Sequence, residues 1–123
     1  MKKVCKILIV CLIFFSCSSN DDQLKNICSV NDPIVDLVWL KTKIEQREEN
    51  ITEFSKYQYI SQSIHKGESV IIDANCDPLA NSVFVVFNCK GENIGFIGDE
   101  NFPFEVLTNG QVIWKTDDSV CSF

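Results

Sequence analysis

Four cysteines, Cys28, Cys76, Cys89 and Cys121, are separated by 48, 13 and 32 positions. Any fold for this chain must either bring them together in pairs or leave reactive sulfur behind. Which of these holds depends on the compartment, and the first residues bear on that. Lys2, Lys3 and Lys6 precede an apolar run from Ile7 to Phe15, followed by Ser16-Cys17 and then by Ser18-Ser19-Asn20-Asp21-Asp22. That order is a secretory signal with a cysteine at its exit. The apolar run is about nine residues, a helix of roughly 14 Å, about half of a bilayer's hydrocarbon core. It is too short to be a lasting span.

Export places the mature chain where thiols oxidise. Cys5 and Cys11 leave with the leader, and Cys17 becomes the new N-terminus. An even set of four then remains, and two disulfides are the natural reading. The rival is a four-cysteine zinc site, which expects close-spaced pairs such as C-x-x-C. The gaps here are far wider, so neither a metal nor a cofactor is expected.

The segment Phe14-Phe15-Ser16-Cys17 resembles the end of a bacterial lipoprotein signal, in which a small residue precedes the lipid-bearing cysteine. Phe14 departs from the usual aliphatic residue. The resemblance implies acylation of Cys17, and Ser18 after it implies sorting to the outer membrane. Asp21-Asp22 is similar to the serine-acidic export signal of some surface-exposed lipoproteins. The expected organisation is a signal peptide over 1–16, a flexible tether over 17–27 and one small domain over 28–123. The expected location is the outer membrane, lipid-anchored, on its periplasmic or its outer side. Several acyl chains hold a protein firmly where one does not.

Charge narrows the partners. Three of the eleven basic residues lie in the leader, which leaves eight against seventeen acids, a net charge of −9 on the mature chain. Such a surface repels phosphate backbones, so nucleic acid is not an expected partner. The mature chain has 107 residues, enough for one core.

Asn31-Asp32-Pro33 is a helix start, with Asp32 as cap and Pro33 at a position that tolerates it. The pattern predicts one helix to about Glu49, with Ile34, Leu37, Val38, Leu40 and Ile44 on one face and Lys41 snorkelling from within it. Trp39 points away from that stripe. It either covers a sheet edge or the N-terminal segment, or anchors a partner.

Strand signals follow over Lys56–Ile64, Ser69–Ala74, Ser82–Cys89, Ile94–Ile97, Pro103–Leu107 and Gln111–Lys115. Val83-Phe84-Val85-Val86-Phe87 is apolar on both faces, which predicts a central, doubly covered strand. Asn109-Gly110 suits a type I′ hairpin turn. The fold class expected is α+β: one N-terminal amphipathic helix on an antiparallel β-meander of about five to six strands, stapled by two disulfides.

That topology predicts the pairing. The second and third strands run oppositely, so Cys76 and Cys89 end up at opposite ends of the sheet. Six residues separate those ends by roughly 20 Å, far beyond the reach of a disulfide. The prediction is Cys28–Cys89 with Cys76–Cys121. The alternative, Cys28–Cys121 with Cys76–Cys89, would refute the meander.

Candidate chemistry is sparse. Asp73-Ala74-Asn75-Cys76-Asp77 begins like a calcium loop, but Pro78 replaces its glycine and Phe84 its bidentate acid. Gly91, Gly95 and Gly98 do not spell a dinucleotide fingerprint. His65 is the only histidine and lies on an expected turn. Asp118-Ser119-Val120 is similar to an O-glycosylation motif of some bacterial envelope systems, which makes Ser119 a candidate. Asn50-Ile51-Thr52 matches a eukaryotic sequon and is discounted beside a bacterial leader. No catalytic residue is assigned.

The helix start Asp32-Pro33-Ile34-Val35-Asp36-Leu37-Val38-Trp39-Leu40-Lys41 and the strand Val112-Ile113-Trp114 resemble small bacterial envelope lipoproteins. The resemblance implies location and no activity. The expected function is a non-catalytic binding or structural module whose partners are the membrane, through its anchor, and an envelope protein. One alternative is an inhibitor of a secreted protease or other enzyme, using the loops Asn75–Ser82 or Gly98–Pro103. The other is a small hydrolase built on paired carboxylates.

Overall fold

The computed structural model describes residues 26–123. The expected signal peptide, Cys17 and residues 17–25 of the expected tether lie outside the described residues. Strands β1 (Gln58–His65), β2 (Glu68–Asn75), β3 (Val85–Phe87), β4 (Asn93–Phe96) and β5 (Gln111–Lys115) form one antiparallel sheet in the order β4-β3-β2-β1-β5. Two helices precede it, α1 (Pro33–Asp36) and α2 (Val38–Glu49), and a short helix α3 (Phe104–Thr108) lies between β4 and β5.

The β1–β2 hairpin is the frame. Its register runs without a slip from Gln58↔Asn75 to His65↔Glu68. The two-residue turn puts Lys66 at φ 50° and Gly67 at φ 79°, the left-handed pair that a I′-type connection requires. Alternation along β1 sends Tyr59 to one face and Ile60 to the other, and Tyr59 through Ser63 are all buried. The run from Val83 to Phe87 supplies the three-residue β3, which is interior as expected, with Val86 in the core of one face and Phe87 against that of the other, while Val83 is left exposed.

Each face has its own core. On one, Tyr59, Val70, Ile72, Ala74 and Val86 pack with Phe102 and Val106. On the other, Ile60, Ile71 and Trp114 pack with Ile27, Leu40 and Ile44. Ile27, expected in the tether, is fully buried and so belongs to the domain.

The single helix expected from Pro33 to Glu49 is two. Asp32 caps α1, its Oδ1 accepting the amide of Ile34 at 3.0 Å. Leu37 then turns extended, with φ −90° and ψ 101°, and α2 begins at Val38. One extended residue resets the 100° phase of a helix. Val38 comes out exposed, and Trp39, expected off the stripe, turns inward and half-buried. Lys41 lies on the outside, 4.0 Å from Glu45, and has no need to snorkel.

Two further expectations change together. Pro103–Leu107, read as a strand, falls on α3 and its cap: Val106, on the helix, and Phe102, just before the cap, both pack in one core. Asn109-Gly110 is no hairpin turn. Asn109 ends the helix at φ −87° and ψ −1°, its amide donating to Glu105 O. With no hairpin to hold β5 against its predecessor, the chain crosses one face of the sheet and adds β5 to the free edge of β1. The sheet is a four-strand meander with β5 on the opposite flank.

Candidate binding surface

Geometry divides the molecule into two ends. Near the end of β1 marked by His65, Cys28 bonds Cys89 with Cα atoms 5.4 Å apart. The Cys28 amide also donates to Ser69 Oγ at 2.9 Å. Near the end marked by Gln58, Cys76 bonds Cys121 with Cα atoms 5.7 Å apart. There the Cys76 amide donates to Tyr57 O at 2.9 Å, and the Val120 amide to Lys56 O at 3.1 Å. The described chain thus enters at the His65 end and finishes at the Gln58 end, each tied by a bridge.

Trp39 serves the fold. Its indole N–H donates to Cys89 O at 2.9 Å, and its ring lies 5.5 Å from that of Phe87. Those contacts set the ring over β3, an interior strand, and over the turn that follows it, where no sheet edge lies. His65 offers Nε2 at 2.7 Å to Asn101 O and stacks beside Phe102, which pins the 96–102 loop to the hairpin turn. Ser119 is half-buried, its Oγ accepting the Cys121 amide at 3.4 Å. The last residues lie back against the sheet, with Phe123 edge-on to Tyr59 at 4.8 Å.

Sequence reasoning missed a charged inlay beneath α2. Asp73 lies in β2, and its Oδ2 is 3.1 Å from Lys43 Nζ and 2.5 Å from Arg47 Nη2. The Arg47 guanidinium lies over Trp114, whose Nε1 donates to Glu48 Oε1 at 3.1 Å. The available signal was one acid inside the apolar run Val70-Ile71-Ile72-Asp73-Ala74, with two cations four apart on the facing helix. Asp73, the first acid of the calcium-like run 73–77, is thus ion-paired with two cations. Glu48, Asp117 and Asp118 border one shallow depression beside Trp114, and Glu48 is already engaged there.

Both loops singled out as candidate contacts are locally braced, in different ways. In the first, Asp99 accepts the amides of Phe96 (3.0 Å), Asn101 (2.8 Å) and Phe102 (2.8 Å). The Phe96 bond contributes most to holding the Asp99 carboxyl below its ordinary range, with Phe102 and Asn101 adding to it against a smaller-than-summed opposing effect of burial. This loop folds onto the core through Phe102, which is buried. It also protects an edge: the β4 amides of Gly95 and Phe96 are taken by Asn93 Oδ1 and Asp99 Oδ2. An edge whose donors are occupied is a poor template for another strand.

The second loop does the reverse. Asn75 Oδ1 accepts the Asp77 amide at 3.2 Å, and Asp77 Oδ1 accepts the Leu79 amide at 2.9 Å. These side-chain turns stand on the Cys76–Cys121 bridge. Their product is Leu79 held out at 93% exposure, the most exposed large apolar side chain of the described residues. Nearby in the chain or across the bridge, Val83 and Val120 are exposed as well.

The fold defines a class: a small, doubly disulfide-bonded α+β domain on a five-stranded antiparallel sheet. A scan against family models finds no match, and comparisons with curated proteins and with solved structures find none either.

Proposed function

We propose that the chain is a non-catalytic binding module of the bacterial cell envelope, held at the outer membrane by lipid on Cys17, with the Asn75–Ser82 loop as its contact. The leader and its resemblance to lipoprotein signals support the location. The observation that carries the contact is Leu79, an apolar side chain held in water on a turn braced by Asp77 and stapled by Cys76–Cys121. A rigid exposed anchor loses little entropy on docking, which is what a contact loop needs. The loop also stands at the end of the sheet opposite Cys28, which suits a contact turned away from an anchored end. The partner that suits it is an envelope protein with an apolar pocket.

The test uses the full chain in its own cells. A photo-reactive residue at position 79 is expected to yield a defined adduct that the same residue at Lys66, on the opposite end, does not. Equal yields at both positions would remove the contact. Mass spectrometry of the mature N-terminus tests the anchor separately, and an unmodified Cys17 would remove it.

The same loop supports the second reading, an inhibitor of a secreted enzyme. Inhibition of a purified protease of apolar specificity by the full chain, abolished in Leu79→Asp, would favour that reading over a plain adaptor.

A further inference from the structure

We propose that the Cys28–Cys89 bridge is a thiol–disulfide exchange site for a dithiol reductant, and that opening it frees residues 26–30 from the sheet. Three observations converge on it. The bridge borders an open depression of about 420 Å³, lined also by Ser29, Glu68, Asn88 and Lys90. A thiolate therefore has an approach to the bridge, with the charges of Lys90 and Glu68 both on the rim. Next, Cys28 and Ser29 both stand at φ 57°, consecutive non-glycine residues in the left-handed region. Such a conformation persists only while its surroundings enforce it. Last, besides the bridge this segment is joined to the sheet by the Cys28 amide on Ser69 Oγ and by the Ile27 side chain, which is buried against Ile60, Ile71 and Trp114. The bonds Ser29 N to Asn26 O and Val30 N to Ile27 O are internal to it.

The other bridge differs on the second point. Among the described residues, non-glycine positive φ occurs at Cys28, Ser29 and Lys66, and neither Cys76 nor Cys121 has it. It differs on the third as well, since backbone bonds to Tyr57 and Lys56 hold both of its strands in place.

The exchange balances as follows. A thiolate of the dithiol attacks Cys28 Sγ, the S–S bond breaks, and Cys89 Sγ leaves with the electron pair. The reductant's second thiol loses its proton, attacks the mixed disulfide and expels Cys28 as thiolate. The dithiol ends as a disulfide, having given up two electrons, and its two protons go to the two cysteines. This step does not depend on the anchor. Its consequence does rest on the anchored reading: the first fixed residue moves from Ile27 to the cap at Asp32, which lengthens the leash by about five residues, up to roughly 17 Å.

The oxidised full chain is treated with graded dithiothreitol, quenched by alkylation and mapped by mass, with amide exchange followed in parallel. Cys28 and Cys89 are expected to label about tenfold faster than Cys76 and Cys121. The amides of Cys28 and Val30 should lose protection at the same time, while those of β1 keep it. Labelling of Cys76 and Cys121 first, or of all four together, would overturn the exchange site. Labelled Cys28 with residues 28 and 30 still protected would overturn the release. The double variant C28S/C89S should show the released pattern with no reductant. Should that variant not fold, the time course on the native chain decides alone. A chain that fails this test can still carry lipid on Cys17, so the two readings fall separately.

Discussion

The indole N–H of Trp39 donates to the carbonyl of Cys89 at 2.9 Å, and so joins the first turn of α2 to the bridge that fastens the start of the domain. The ring also fills the space above Gly91, where an added Cβ would lie 2.7 Å from Trp39 Cγ and Cδ2. Gly91 stands at φ 81° and Gly67 at φ 79°, yet a Cβ at Gly67 would meet nothing within 4 Å. The pair separates strain from overlap. Gly67→Ala is expected to cost about 1 kcal/mol, from the backbone alone. Gly91→Ala should cost about 1–3 kcal/mol more, from overpacking. Urea unfolding of both variants measures the difference, and equal losses would mean that the Trp39 ring moves aside.

Asp73 holds two cations on the half-buried face of the sheet. Asp73→Ala leaves Lys43 and Arg47 without their shared acceptor and is expected to cost about 2–3 kcal/mol, less than a fully buried pair because these side chains are 19–32% exposed. Replacing Arg47 by Met in the same background should recover part of that loss. A double-mutant cycle on urea midpoints reads the coupling, and a value near zero would make the inlay a surface ornament.

Asp99 makes one loop sensitive to acid. Its carboxyl is held below the ordinary range by the amides it accepts, that of Phe96 foremost. The folded value is the lower one, so the stabilisation is in full above the unfolded value of about 3.9 and disappears as the pH falls through the folded value. Amide exchange of Phe96, Asn101 and Phe102 should accelerate over that acidic window in the native chain. In Asp99→Asn the same amides should exchange fast at neutral pH, with no step on acidification.

Leu79 is predicted to be silent in stability. Leu79→Asp removes no buried contact, so its unfolding midpoint should stay within about 0.5 kcal/mol of the native chain. Ile72→Ala, in the core, should cost about 2–5 kcal/mol. Thermal melts compare the two. A large loss at position 79 would show that its side chain is covered in solution, and the contact proposed for it would fail.

The cysteine pairing was legible for a reason narrower than the topology used to reach it. What matters is parity: β2 and β3 run oppositely, so Cys76 and Cys89 point to opposite ends whatever the strand order. In a strict meander the last strand would stand at the far edge, a long way sideways from Cys76. The crossover through α3 instead places β5 beside β1, one strand from β2, and that brings Cys121 within 5.7 Å of Cys76 between Cα atoms. The candidate loop Asn75–Ser82 was legible from its turn residues. The exposure of Leu79 was not, because a leucine between Pro78 and Ala80 looks the same whether it is covered or bare.

Local chemistry in the chain determined its helix start at Asp32-Pro33, its hairpin at Lys66-Gly67, its two-faced strands and its pairing of cysteines by strand direction. Each depends on neighbours a few residues apart, where capping, turn geometry and alternation act. Only the tertiary structure decided that Leu37 breaks the helix and turns Trp39 inward, that residues 104–108 coil rather than extend, and that Asp73 meets Lys43 and Arg47. Those outcomes turn on burial against residues distant in the chain. A short apolar stretch such as Phe104-Glu105-Val106-Leu107 satisfies either period, and the core it lands on selects between them.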